Sequence, residues 1–513
     1  MKLAMEKKGF KGASLSLLSV LAITTALAGC SSGAAEVKEV TKPAGAATST
    51  TEKLAPAKLK WVIRSAPQSD LALVQTEMNK IIKEKINTEV ELSFIDLGVY
   101  DGKLKTMIAA GEEFDLAFVS SSIGGDFYGN TAKGAFLELD DLIKKHAQKT
   151  YEAIPKGFWN AVTVNNKIYA VPNYQIVARQ NGIAVQKPIA EKYNFNVEGL
   201  KKLEDLEPLL AKLKAGEAPN KYVFFMIKQG AWRDMLSYYR IDPVGTNSMP
   251  GAVRMGDDSL KVFNQYEDPA FKEHVKLMAD WYKKGYISKD APVLNDPVAP
   301  YKTGNVLTAW TNIKPGGEAE SRASNGGIDT SFKVLDIPFV TSSNVSSTLQ
   351  AISKTSKNPD RAMMLINLMN TDKQLYNLMS FGIEGKHYKK LSDTRIEPIT
   401  NSGYFPNRAW AFGNQFNAYL MPGQPDDVWQ QTIELNTKAE QSKLLGFTFD
   451  QEPLKAEIAQ TQSVIDEFAP SLWTGSVDPD KYLPMFLEKL RTAGVDKIIV
   501  EKQRQLDAWK AKK

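Results

Sequence analysis

The chain has one cysteine and three histidines in 513 residues. One cysteine excludes an internal disulfide, so the folded state must rest on buried core. His146, His274 and His387 stand far apart without ligand spacing. That excludes a metal centre of the His/Cys type, and no cofactor is expected. The chain has no Gly-x-Ser-x-Gly elbow, His-Glu-x-x-His pair, Gly-x-x-x-x-Gly-Lys-Ser/Thr loop or Gly-x-Gly-x-x-Gly fingerprint. These absences argue against an enzyme. Past Leu27, no apolar run approaches the ~20 residues a membrane helix needs. Charge of one sign is scarce too. The formal net charge is +5, and Lys2, Lys7, Lys8 and Lys11 against Glu6 supply a surplus of three before residue 30. The remainder is too weakly and diffusely basic to bind nucleic acid.

The chain begins with those four lysines, followed by an apolar run from Leu15 to Leu27 and the box Leu27-Ala28-Gly29-Cys30. A basic start and a short apolar stretch make residues 1–29 a secretory signal peptide. The box resembles the bacterial lipoprotein signal. That resemblance implies cleavage before Cys30 and a diacylglycerol on its thiol. It places the protein on the extracellular face of the cell membrane, held by lipid, and explains a lone cysteine in a secreted chain. Residues 30–56 lack aromatics and are rich in Ala, Ser, Thr, Gly and Pro, as a flexible tether would be.

The body opens with alternating strand and helix patterns. A strand at Leu59–Ile63 leads through a polar loop to a helix at about 71–85, with Asp70 as N-cap and Leu71, Val74, Met78, Ile81 and Ile82 on one face. A strand at 88–95, a helix from about Tyr100 to Gly111 and a strand at 114–119 follow. This βαβαβ order predicts an α/β fold with a parallel sheet. Ligands of such sheets sit beyond the carboxyl ends of the strands, which brings forward Gln68, Ser69, Asp70, Ser120, Ser121 and Ser122. Residues 187–300 read as mostly helical. Further strands are expected at 306–310, ending in Thr311-Asn312, and at 332–338, with a helix starting at Asn358-Pro359.

Four segments, in order, resemble the extracellular solute-binding proteins of ABC importers, carbohydrate-type. They are Ala109-Ala110-Gly111-Glu112-Glu113-Phe114-Asp115-Leu116, Asn165-Asn166-Lys167-Ile168-Tyr169-Ala170-Val171-Pro172, Thr308-Ala309-Trp310-Thr311-Asn312 and Asn358-Pro359-Asp360-Arg361-Ala362. Asn166 stands where the family usually has glycine, and both residues tolerate a left-handed turn. Phe381-Gly382-Ile383-Glu384-Gly385-Lys386-His387-Tyr388 resembles a lipoprotein subgroup of Gram-positive bacteria. The resemblance implies the two-lobed periplasmic-binding-protein fold, with lobes discontinuous in sequence and ligand held between them. It places lobe 1 at 57–172 plus 330–375 and lobe 2 at 173–329 plus 376–513, with crossings near 171–177 and 313–332. It also implies ABC permease subunits as partners and a chain that acts as a monomer.

A sugar site needs aromatic planes and paired polar side chains. Residues 401–420 carry six aromatics, among them Tyr404 and Trp410, in a chain that is 10% aromatic. Trp232-Arg233-Asp234 with Tyr238 and Tyr239 is a second cluster, and Trp310 ends a strand. The candidate ligand residues are therefore Gln68, Asp70, Ser120, Ser121, Tyr174, Trp232, Arg233, Trp310, Asn312, Glu384, Tyr404 and Trp410. The expected function is carriage of a carbohydrate, an oligosaccharide, to a membrane permease. A surface-anchored glycosidase, with Glu384 as its acid, and a polysaccharide-binding lipoprotein are alternatives. So is a binding protein for a peptide or other polar solute.

Overall fold

The computed structural model of the chain describes residues 54–228, 231–294 and 298–512. The signal, Cys30 and the tether up to residue 53 lie outside the described residues. The first sheet has five strands, in the order Thr88–Ile95, Ala57–Arg64, Leu116–Val119, Leu349–Ile352 and Val171–Pro172. The first three are parallel, as the alternating pattern predicts, and Leu349–Ile352 runs antiparallel to both its neighbours. Leu59, Trp61, Val62 and Ile63 are all buried, the mark of a central strand covered on both faces. Helix Leu71–Ile86 buries Val74, Met78, Ile82 and Ile86, one per turn, and ends at Asn87 in the left-handed region with φ 45°. Asp70 holds the cap position but makes no side-chain cap bond. Its carboxylate instead meets Lys386 Nζ at 2.9 Å and His387 Nε2 at 3.3 Å. This corrects the N-cap reading.

The second sheet places Gln180–Gln186 between Thr308–Ile313 and Thr330–Val334, antiparallel to both. Strand 308–313 starts later than expected and runs further, while strand 330–334 stops short of the expected 338. The early stop has a local cause. Asp336 leaves the ladder to accept hydrogen bonds from Asn181 N at 2.5 Å, Asn181 Nδ2 at 2.8 Å and Ser237 Oγ at 2.6 Å.

A short ribbon joins the two bodies. Arg179 bridges Phe339, and Phe339–Val340 pairs in parallel with Glu440–Gln441. The chain thus crosses three times, at 173–180, 335–340 and 436–442. The first overlaps the expected crossing at 171–177. The crossing expected at 313–332 is corrected, because both flanking strands belong to the second sheet and the helix Gly317–Ser324 connects them. Asn436 is buried at the ribbon. Its Oδ1 accepts from Val177 N and Ala178 N, both at 3.0 Å, and its Nδ2 donates to Gln175 O at 2.7 Å.

Tyr376, Met379, Tyr388, Tyr404 and Phe412 pack in the core of the first sheet, whereas the sequence reading drew residues 376–513 into the second lobe. Gln350 explains the attachment. It accepts from Trp61 Nε1 at 3.0 Å and donates to Ala411 O at 2.7 Å, tying the aromatic segment to the sheet face. Helices Lys455–Thr474, Pro479–Thr492 and Val495–Lys510 share a core with helix Pro269–Lys283 through Phe271, Val275, Phe468, Leu472, Phe486 and Val495.

The third crossing is fastened to the second body. Arg240 Nη2 grips both oxygens of Glu440 at 3.2 and 3.1 Å, and Ser442 Oγ donates to the buried Asp242 Oδ2 at 2.5 Å. Burial pushes the Asp242 carboxyl up to about 7 from its ordinary 3.8. Between those values the folded chain keeps a proton that the unfolded chain releases. Stability from this group therefore falls as pH rises through that window and is level above about 7. Asp242→Asn keeps the shape and cannot ionise. Its melting temperature relative to wild type should rise between about pH 4 and about pH 7. Parallel pH profiles for the two proteins would contradict this.

Candidate functional site

Both sheets direct strand ends at the ribbon. Val119 and Pro172 end parallel strands on the first body, and Ile313 and Val334 end strands on the second. On the first side, buried Ser120 closes a turn by accepting from Ser122 N at 2.9 Å and Ile123 N at 3.0 Å. Ser121, half-buried, accepts from Ser346 Oγ at 2.7 Å. Gln68 accepts from Phe405 N at 2.8 Å and donates to Ala66 O and Pro67 O. Gln68, Asp70 and Ser120 thus spend their polar atoms on holding loops. Trp410 stays half-buried, its ring edge-on to Phe118 at 6.3 Å, with the Arg408 guanidinium 5.0 Å from its centroid.

On the second side Trp310 is half-buried. Its Nε1 donates to Asp234 O at 3.2 Å, and its ring meets Tyr238 edge-on at 5.3 Å. This fixes the indole plane. Arg233 pairs with Asp234 at 3.5 Å, and the Asp234 side chain is 56% exposed. Protein crowded around that carboxylate raises its pKa against the pull of Arg233 and of Arg179 on the ribbon. Asn312 is exposed and donates to Gln180 O at 3.1 Å where the ribbon begins.

Four candidates move away from the site. Trp232 is fully buried among Tyr239, Phe271 and His274. Tyr404 is buried with its hydroxyl donating to Met379 O at 2.7 Å. Tyr174 is 7% exposed, with the rings of Phe158 and Phe416 against it. Glu384 is exposed in the turn before Tyr388. The three aromatics fill core, which is why they present no face. Sequence reasoning did not nominate Arg408, whose guanidinium lies against Trp410, or Arg64. The strand-end rule that nominated Gln68 applies equally to Arg64, the last residue of the first strand. Among the described residues, no group of three or more His, Cys, Asp or Glu could hold a metal ion.

The sequence pattern of the bacterial extracellular solute-binding proteins matches residues 77–383, well over half of the chain. The chain belongs to this family. A domain of unknown function, DUF3502, matches residues 443–511 of this solute-binding protein, the span of its three last helices. A carbohydrate ABC transporter substrate-binding protein of Streptococcus pneumoniae is 30% identical, over 98% of this chain and 99% of that one. The crystal structure of the N-glycan transport solute-binding protein NgtS of the same species superposes with a TM-score of 0.80 at 28% identity, over 90% of this chain and all of that one. The two-lobed α/β fold expected from the sequence is the fold found. NgtS in complex with Man1GlcNAc superposes with a TM-score of 0.69 at 28% identity, over 88% of this chain and 99% of that one. The present arrangement is nearer to the structure named without a sugar.

Placement sorts the tryptophans energetically. Trp232→Ala opens a core cavity and should cost about 3–5 kcal/mol of stability. Trp310→Ala and Trp410→Ala remove half-exposed rings and should each cost about 1 kcal/mol. Chemical denaturation of the three ligand-free variants checks this. A loss for Trp310→Ala or Trp410→Ala as large as that for Trp232→Ala would make that ring a core residue.

Proposed function

We propose that this solute-binding protein is the oligosaccharide-binding component of an ABC importer. It acts as a lipid-anchored monomer that closes on its ligand and hands it to a membrane permease. The full-length relationship to a carbohydrate ABC transporter substrate-binding protein carries the reading. Trp310 and Trp410 support it. Each offers a half-exposed plane beside polar groups on its own side of the ribbon, as stacking on sugar rings requires. One lobe would comprise about 57–172 and 340–436, and the other about 180–334 and 443–511. The relatives are binding proteins of transporters rather than enzymes, and nothing about the exposed Glu384 favours a glycosidase.

Thermal shift against neutral and acidic oligosaccharides, with Man1GlcNAc among them, tests the ligand class. A true ligand at 100 times its dissociation constant should add about 2.7 kcal/mol. Stabilisation by short peptides with none by any saccharide would contradict the reading.

The lipid anchor rests on the Leu27-Ala28-Gly29-Cys30 box. Among the described residues no helix is long and apolar enough to cross a membrane. Cys30→Ala should move the protein from the membrane fraction to the medium or leave its signal uncleaved. A variant that is processed and stays on the membrane would rule out lipidation at this cysteine.

A further inference from the structure

The segment matched by the domain of unknown function, residues 443–511, contains none of the candidate ligand residues. It nevertheless reaches one of them through packing. Its helix Lys455–Thr474 packs against Ala231–Asp234, the single turn that carries Trp232. Trp232 is fully buried in one cluster with Ile465, Phe468, Ala469, Leu472 and Trp473 of that helix. Two routes then lead from Trp232 to Trp310. The first is backbone: two residues past Trp232, Asp234 O accepts from Trp310 Nε1 at 3.2 Å. The second is a run of rings. Trp232 meets Tyr239 at 5.0 Å, Tyr239 meets Tyr238 at 5.0 Å, and Tyr238 meets Trp310 at 5.3 Å. In the other direction the run passes through Phe271, 4.8 Å from Trp232, to Phe486 and Phe468 of the C-terminal helices, at 6.4 and 5.8 Å. Both tyrosines are also held at their hydroxyls. Tyr239 Oη lies 3.0 Å from His274 Nδ1, and Tyr238 Oη accepts from Leu203 N at 3.2 Å.

Strand Thr308–Ile313 fixes the backbone of Trp310 but leaves its side-chain torsions a choice of rotamers. The Asp234 carbonyl and the Tyr238 ring make that choice. A close-packed core transmits a displacement, so whatever seats Trp232 sets both contacts. A plane fixed before the sugar arrives loses less entropy on binding than one that must be ordered. We infer that residues 443–511 are a positioning element of the saccharide site: they seat Trp232, and Trp232 holds the plane of Trp310. This rests on the saccharide reading of the site and gives the C-terminal segment its part in it.

Fluorine NMR of the full chain labelled with 5-fluorotryptophan tests the inference without ligand. The signals of Trp310 and Trp410 are assigned by Trp310→Phe and Trp410→Phe. Phe486→Leu, far along the run, and Trp232→Phe should each shift or broaden the Trp310 signal and leave that of Trp410 in place. In titration calorimetry with Man1GlcNAc, or with whichever saccharide stabilises wild type, both should weaken binding by roughly threefold or more at a temperature where each is fully folded. Ile82→Ala, a core deletion in helix Leu71–Ile86 of the first body, should lower the melting temperature and change neither the Trp310 signal nor affinity. A Trp310 signal unmoved in both variants would overturn the inference and leave the importer reading standing. So would a moved signal with unaltered affinity, or an equal loss of affinity in Ile82→Ala. Failure of every saccharide to bind wild type would overturn the saccharide reading and this role with it, and the fluorine signals would separate that failure from a failure of the ring contacts.

Discussion

The side chain of Asn436 holds three backbone groups of the first crossing from a helix that leads into the third. The rest of the arrangement depends on that junction. Residues 177–178, 339–340 and 440–441 meet there, and every covalent route between the two bodies passes through it. An amide suits the position because one oxygen can accept two N–H groups while the nitrogen donates once. With the backbone fixed at the ribbon, two sheets of unlike topology present strand ends to the same place. The site is therefore a product of the connection as much as of either lobe.

Each lobe spends its polar groups differently. On the first side, Gln68, Asp70 and Ser120 tie loops to one another and to the aromatic segment. That leaves Ser121, Arg408 and Trp410 half-exposed at the surface. On the second side, the indole of Trp310 is oriented by Asp234 O and Tyr238. Trp310 is thereby a plane held in one orientation. Such preorganisation limits the entropy lost on binding.

Much of the first lobe was legible because its strands and helices are regular. The βαβαβ alternation, the Val74–Met78–Ile82 stripe and the left-handed end of helix Tyr100–Ala110 at Gly111 follow from local chemistry. The crossings were harder. Strand 330–334 pairs with 180–186 through contacts distant in sequence, and Asp336 ends it by side-chain bonds that no periodicity reveals. The aromatic segment 401–420 was visible as composition, but its docking on the first sheet depends on Gln350, remote in sequence. Trp232 and Trp310 look alike in sequence. Only packing separates a ring enclosed by Phe271 and His274 from one left half-open.

The central claim is that two lobes hinged on this ribbon close around an oligosaccharide. The TM-score is 0.80 against NgtS named without a sugar and 0.69 against its Man1GlcNAc complex. Small-angle X-ray scattering, with and without a saccharide shown to bind at saturation, measures the motion directly. The account predicts a smaller radius of gyration with the sugar bound. An unchanged radius at full occupancy would contradict it.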